Sequence, residues 1–325
     1  MCDAARRIAT IVLAAGCASV FGQAPAPAYP TRPVAIVAPF SPGGAIDIFA
    51  RLDAAKLTEA FGQPFIVDYR TGAGGAIASA YTAKAAPDGH TIHLVSAGYT
   101  FLPALQKVPM YDPVRDFAPI SMMSLSPNLI VVHPASPIRN AADFVAYARA
   151  HPTEINYGTS GPGTFAHLAG EWLASATKTK MTFVPYKGLG DALLAVASGQ
   201  IHVTATAVAS SMPFVKSGRL RAIAVTTRDR LGVLPDLPSI ADTVSGYHWS
   251  QWNGYLAPAR TPRAIVDRLS AELAKIARSP DNVQRMAADG TVPVGGTPEE
   301  FAKVIGTESA HWRKLIKDIG LKLDD

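Results

Sequence analysis

From residue 29 onward, short β-branched stretches alternate with helix-period stretches, and that alternation leaves few folds open. Strand patterns fall at 34–39, 65–68, 91–95, 129–133, 154–157, 182–184, 201–204 and 221–226. They are short and rich in β-branched residues. Helix patterns lie between them. In the first, Ile48, Leu52 and Ala55 share a face, and Gly62 closes it. Others fall at 140–150, 189–198 and 211–217. The alternation predicts an α/β architecture with parallel sheets. The last third differs: 262–278, 281–289 and 298–319 read as three helices, each opened by a Ser/Thr-Pro pair.

A turn cluster at 124–127 divides the strand patterns, and a second candidate boundary lies at 226–229. Two such crossings make 126–227 one lobe and join 29–125 to 228–325 as the other. Ligands in folds of this kind sit in the crevice at the carboxyl ends of the strands.

Three glycine-rich loops stand out: SPGGAID (41–47), RTGAGGA (70–76) and TSGPGT (159–164). The first and third share one plan, strand then glycines then helix. A helix start offers unpaired N–H groups and the positive end of a dipole, so two of them facing one cleft suit a carboxylate. One such loop alone is commonly no more than a tight βα turn. Two of matching design, one in each lobe, argue for a site. Asp47 would repel a bound anion, so it is expected to turn back and bond the Gly43/Gly44 backbone, with Arg70 as its alternative partner. His167, one turn into the third loop's helix, reads equally as a ligand donor or as a brace for a neighbouring loop.

Other chemistries find less support. A P-loop needs GxxxxGK[ST], and no Lys follows these glycines. The dinucleotide fingerprint fails at Ile77, GxSxG fails at Pro162, and HExxH is absent. His90 and His93 are three apart on a strand, so they face opposite ways and cannot share a metal. The net charge of +5 is spread without a Lys/Arg stripe, which argues against nucleic acid. No cofactor is expected.

The N-terminus reads as an export signal over residues 1–28. Arg6 and Arg7 precede an apolar run too short to span a bilayer, and the mature chain is expected to be soluble. Both cysteines, Cys2 and Cys17, lie inside this segment, so the mature chain has no disulfide and no thiol chemistry. LAAGC, ending at Cys17, resembles a lipoprotein cleavage site. Ordinary cleavage after Gly22 or Ala28 is preferred, because Ala14 stands where Leu or Val is commoner.

YPTRPVAIVAPFSPGGAID, FGQPFIVDYRTGAGG, AAPDGHT and YDPVRDFAPIS are followed in order by FVPYKG, GRLRAIAVTT, LPDLPSIAD, NGYLAPARTP and VGGTPEEF. With these stretches the chain resembles, from Tyr29 to its end, the Bug-family receptors, the periplasmic binding component of tripartite tricarboxylate transporters. The resemblance implies a two-lobed α/β fold of the type II, Venus-flytrap kind, crossed twice by the chain. It implies that two βα loops grip a ligand carboxylate, often through ordered waters. On the first loop the matching residues are Phe40, Ser41, Gly43, Gly44, Ala45 and Asp47. On the second they are Ser160, Gly161, Gly163, Thr164 and His167.

Three departures bear on the ligand. Pro162 replaces a usual Asn and brings no N–H. Thr206-Ala207 replaces a usual Asp-Asn, which makes an amino-acid ligand less suited. Tyr69 replaces a usual Asn before Arg70. Tyr99, Phe165 and Trp252 are further aromatics that could approach the cleft, although aromatics are more often core.

The expectation is a periplasmic, monomeric solute-binding protein. It would close on a small carboxylate, a di- or tricarboxylate or an aromatic acid, and deliver it to membrane transporter subunits. Two alternatives stand beside it. One is a sensor handing the closed state to a membrane kinase. The other is an exported hydrolase with Ser160 as nucleophile and His167 as base, although no orienting acid is evident.

Overall fold

The computed structural model describes residues 29–42, 45–288 and 290–321. The expected signal segment with Cys2 and Cys17, and the loop residues Gly43 and Gly44, lie outside them. Among the described residues, no helix is long and apolar enough to cross a membrane.

Among the described residues, eleven strands form two sheets: β1 (Val34–Ala38), β2 (Phe65–Tyr69), β3 (Thr91–Ser96), β4 (Phe117–Ser126), β5 (Asn128–Val132), β6 (Asn156–Thr159), β7 (Thr182–Pro185), β8 (Val203–Ala207), β9 (Arg221–Val225), β10 (Gln251–Pro258) and β11 (Val292–Pro293). The first sheet has the order β11-β4-β10-β3-β1-β2, and the second has the order β7-β6-β8-β5-β9. The helices are α1 (Ala45–Phe61), α2 (Ala76–Ala83), α3 (Leu102–Leu105), α4 (Ala141–Ala150), α5 (Phe165–Thr177), α6 (Leu189–Ala197), α7 (Val208–Lys216), α8 (Arg263–Ala277), α9 (Pro280–Ala288) and α10 (Pro298–Ile319).

The sheets are mixed, which corrects the expectation of parallel sheets. β1 runs parallel to β2 and β3, and β6 runs parallel to β7 and β8. β10 is antiparallel to both β3 and β4, and β5 is antiparallel to both β8 and β9. The crossings explain this. β4 leaves the first sheet at the end where β3 also finishes, since Ser126 pairs with Gln251 and Ser96 with Asn253. A chain that re-enters at that same end must run the other way. β4 and β10 went unpredicted because their sequences, FAPISMMSLS and QWNGYLAP, carry Pro, Gly and Ser in place of β-branched residues.

Pro127 alone separates β4 from β5. The return crossing is tied to this point: Asn128 N–H donates to Thr226 Oγ1 at 3.2 Å, Thr226 N–H to the Asn128 carbonyl at 2.9 Å, and Trp249 N–H to the Thr226 carbonyl at 2.7 Å. After β9 the chain stays with the second sheet. Ile240, Val244, Tyr247 and Trp249 pack with Ile130, Phe144 and Tyr157 of its core, and the Tyr247 hydroxyl donates to the Ala169 carbonyl at 2.9 Å. The strand that re-enters the first sheet therefore starts near residue 251, well after the candidate boundary at 226–229.

α1 and α8 cover one face of the first sheet, with Leu57, Leu269 and Leu273 against Ile36, Ile92 and Tyr255. α10 crosses toward the second sheet: Trp312 and Ile316 share a cluster with Phe101 and with Leu168 of α5. The three C-terminal helices match the sequence reading to within about two residues. Thr297 caps α10 in a capping box with Glu300, whose side chain accepts the Thr297 N–H at 2.9 Å.

Candidate functional site

The loops after β1 and after β6 both stand at carboxyl ends of parallel strands, the position from which α/β sheets address a crevice. In the first loop Pro39 is buried, while Phe40 (41% exposed) and Ser41 face outward. α1 then starts at Ala45. Asp47 is buried in its first turn, where a carboxylate complements the helix dipole. Its Oδ1 accepts Arg51 Nε at 2.8 Å and also the Tyr69 hydroxyl. Its cationic partner is therefore Arg51, not Arg70. Arg70 pairs with Asp68 at 3.0 Å and lies 3.9 Å over the Tyr81 ring. Tyr69 acts as a strut between β2 and α1. Sequence proximity could not show this, but β1–β2 pairing does, since Ala38 faces Tyr69 in the register. The expected bond from Asp47 back to Gly43 or Gly44 falls outside the described residues.

The RTGAGGA loop supports the first loop from below. Gly72, Gly74 and Gly75 all take positive φ (121°, 65° and 103°), and the Gly75 N–H closes the turn on the Gly72 carbonyl at 2.9 Å. A Cβ on Gly75 would stand 3.1 Å from Pro39 Cβ. Beneath it, His93 is fully buried between strands and helix. One ring nitrogen faces the Val37 carbonyl at 2.9 Å and the other faces Ser79 Oγ at 3.1 Å. Burial lowers its pKa to about 4, so it is a neutral structural tie. Among the described residues, no group of His, Cys, Asp and Glu is arranged to hold a metal ion.

Tyr99 belongs to the core. It is 3% exposed, stacks on Tyr111 with centroids 5.2 Å apart, and donates its hydroxyl to the Pro113 carbonyl at 2.7 Å. Trp252 is 1% exposed and donates Nε1 to Glu308 at 3.0 Å. Phe165 packs among Phe101, Trp249 and Trp312. Tyr99 and Trp252 are thus core groups, as burial of large rings favours, and the half-buried Phe165 packs against the same core. Thr206 is 2% exposed at the end of β8, with its carbonyl facing the Ser211 hydroxyl at 3.4 Å.

The second loop is held by its own bonds. Gly161 N–H donates to Thr159 Oγ1 at 3.2 Å, and Thr164 N–H to the Gly161 carbonyl at 3.4 Å. Gly163 N–H donates to His167 Nδ1 at 3.2 Å, and His167 N–H to Thr164 Oγ1 at 3.4 Å. The glycine amides expected to face a ligand are thus engaged within the loop. The donors move one step on. Phe165 and Ala166 N–H, in the first turn of α5, have no intrahelical partner by construction and make no bond to another described residue. Ser160 is half-buried beside them.

His167 is a brace. Its Nδ1 accepts from Gly163, and its Nε2 lies 3.6 Å from Glu171 Oε1. Its ring stands edge-on to Phe183 at 5.1 Å. Burial lowers the His167 pKa and raises that of Glu171, so both tend toward their neutral forms. With Nδ1 engaged by Gly163 and no bond to the Ser160 hydroxyl among the described residues, the base–nucleophile pair of a hydrolase is not assembled.

The chain matches the sequence model described as the tripartite tricarboxylate transporter family receptor over residues 49–321. The protein BugT of Bordetella pertussis is 31% identical over 323 residues, covering 98% of each chain. Among solved structures, R. palustris Rpa4515 with adipate is 36% identical, with a TM-score of 0.72 over 90% of this chain and 99% of that one. A TctC solute binding protein from Polaromonas, solved with no ligand, is 25% identical but has a TM-score of 0.82, over 89% and 99% of the two chains.

Proposed function

The chain belongs to the family of tripartite tricarboxylate transporter receptors, and from that premise we propose that it grips a small carboxylate, foremost a dicarboxylate, between its two lobes. Its relatives are periplasmic solute-binding receptors and not enzymes, which removes the hydrolase reading. The observation that carries the ligand class is the adipate in Rpa4515, a protein that shares 36% of its residues with this one across nearly the whole fold.

The first lobe is taken as 29–125 together with the chain from β10 onward, and the second as 126–250. The carboxylate sits between the starts of α1 and α5. Phe165 and Ala166 supply N–H donors from one side. The loop carrying Ser41, Gly43, Gly44 and Ala45 supplies them from the other, with Phe40 and Ser160 at the edges. Thr164, Gly161, Gly163, Asp47 and His167 shape these loops without touching the ligand. Rotation about the two crossings brings the loops together, and the ligand favours the closed state by touching both. Residues 1–28 would export the protein to the periplasm, where it works as a monomer and presents the closed form to membrane transporter subunits.

The test is thermal unfolding against linear dicarboxylates including adipate, monoacids, hydroxy acids, aromatic acids and amino acids, each beside its amide. A ligand at about 100 times its Kd adds about 2.7 kcal/mol. Stabilisation by acids and not by their amides is expected. A response confined to phosphates or sugars would overturn the reading.

A further inference from the structure

All four tryptophans of the chain, Trp172, Trp249, Trp252 and Trp312, line one cavity. Its volume is about 660 Å³, within the range of small-molecule sites. It lies where the chain passes between the sheets. Leu125 and Pro127 come from the first passage, Thr227 and Ser250 from the second, and Val304 and Glu308 from α10. Among the described residues, those of the first loop (40–42 and 45–47) and of the second loop (159–167) take no part in its lining.

Its chemistry is specific. Trp172 stands edge-on to Tyr247 (4.8 Å) and to Trp312 (5.6 Å), with the His311 ring 4.0 Å away. Such a wall accepts a flat ring. Trp312 Nε1 and His311 Nε2 are buried with no hydrogen-bond partner, an unusual state in a finished core. Glu308 is half-buried in the wall, and desolvation pushes its pKa up to about 7, which weakens its negative charge. His248 and His311 are held toward their neutral forms, mainly by burial. At the mouth, Arg228 and Arg230 are exposed beside the exposed Asp229. Arg230 pairs with Asp242 at 3.4 Å, whereas Arg228 makes no ion pair among the described residues. A guanidinium in that position matches a carboxylate.

We propose that this cavity is a second ligand site, separate from the cleft between the glycine loops, for a flat aromatic carboxylate whose ring lies among the indoles and whose acid meets Arg228. Its walls come from both lobes, so its shape changes when they rotate. A ligand that fits one state better shifts the balance between open and closed by its differential affinity. The site does not depend on which carboxylate the cleft holds.

The probe is 2-naphthoate, titrated calorimetrically into the purified protein and three variants. Arg228→Gln changes an exposed residue, Trp172→Leu removes one wall, and Ser160→Asp places a carboxylate in the front cleft. We expect saturable binding to the wild type and to Ser160→Asp. We expect at least a tenfold loss in Arg228→Gln and Trp172→Leu, with unchanged thermal unfolding of Arg228→Gln, and at least a tenfold loss for 2-naphthamide. Binding lost in Ser160→Asp but kept in Arg228→Gln would assign the probe to the front cleft and overturn the proposal. So would equal binding of the amide, or no saturable binding at millimolar probe. Adipate plays no part in this experiment, so its outcome and that of the dicarboxylate panel are independent.

Discussion

The Nδ1 of His167 accepts the N–H of Gly163 at 3.2 Å, while the His167 N–H donates to Thr164 Oγ1 at 3.4 Å. The two bonds form a capping-box variant in which a histidine takes the place of Glu or Gln. The arrangement holds Gly163 at φ 70°, a conformation that glycine adopts with little strain. Nδ1 must carry a lone pair for this, so the neutral ring is required, and burial favours it.

Replacing His167 with Ala should therefore loosen the loop without emptying the core. The lost bond is worth about 1 kcal/mol, or several-fold in affinity for the cleft's carboxylate. His167→Asn, whose side-chain oxygen reaches a similar point, should restore much of it. Calorimetry on the three proteins decides the matter. Equal affinities in wild type and His167→Ala would remove the brace from any part in binding.

The Asp47–Tyr69 bond makes a second claim. Tyr69→Phe removes one donor from a buried carboxylate, and hydrogen bonds to charged groups contribute about 1.5–3 kcal/mol. Urea unfolding should show a loss in that range. The loss should shrink when Asp47 is already Ala, because the two side chains act as one unit. Full additivity in the double variant would mean that the strut carries no coupling.

Much of this was legible in the sequence, and the limits are physical. The helices after residue 260 were readable because Thr297 and the paired prolines punctuate them locally. β4 and β10 were not, because their place is set by partners far along the chain and not by their own propensity. The two glycine loops were readable as helix starts. Which amides stay open was not, since Gly161 and Gly163 are engaged by Thr159 and His167 through bonds that only the folded loop makes. Tyr99, Phe165 and Trp252 were ambiguous for a similar reason: an aromatic side chain serves a core and a cleft equally well until its neighbours are known.

Gly254 shows how tightly one unpredicted strand is set. A Cβ there would stand 2.5 Å from the Phe301 ring and 2.8 Å from the Ser121 carbonyl oxygen. The ring can shift, but the carbonyl belongs to the paired strand. Gly254→Ala should cost about 1–3 kcal/mol by overpacking. Shrinking Phe301 to Leu in the same chain should not restore it fully. Gly62→Ala is the control, with open space around it at φ 68°, and should cost only the backbone strain of about 1 kcal/mol. Equal losses at the two positions in urea unfolding would contradict the packing argument.

Glu308 sets a pH dependence. Its carboxylate accepts Trp252 Nε1 at 3.0 Å and Thr100 Oγ1 at 3.1 Å, yet burial outweighs both bonds and raises its pKa from 4.5 to about 7. Between those values the folded chain holds a proton that the unfolded chain has released. The stability tied to that proton is complete below about pH 4.5 and is lost as pH rises through about 7, to a total of about 3 kcal/mol at 1.36 kcal/mol per unit. Glu308→Gln keeps an acceptor for Trp252 and removes the titration. Other groups, including His311 one turn along α10, titrate in both proteins and largely cancel in the difference. The variant should therefore gain on the wild type by about 3 kcal/mol between pH 4.5 and 8 when the two are unfolded in urea at each pH. A difference that stays flat across that range would mean that the half-buried carboxyl is already ionised at pH 5, and that the bonds from Trp252 and Thr100 outweigh its desolvation.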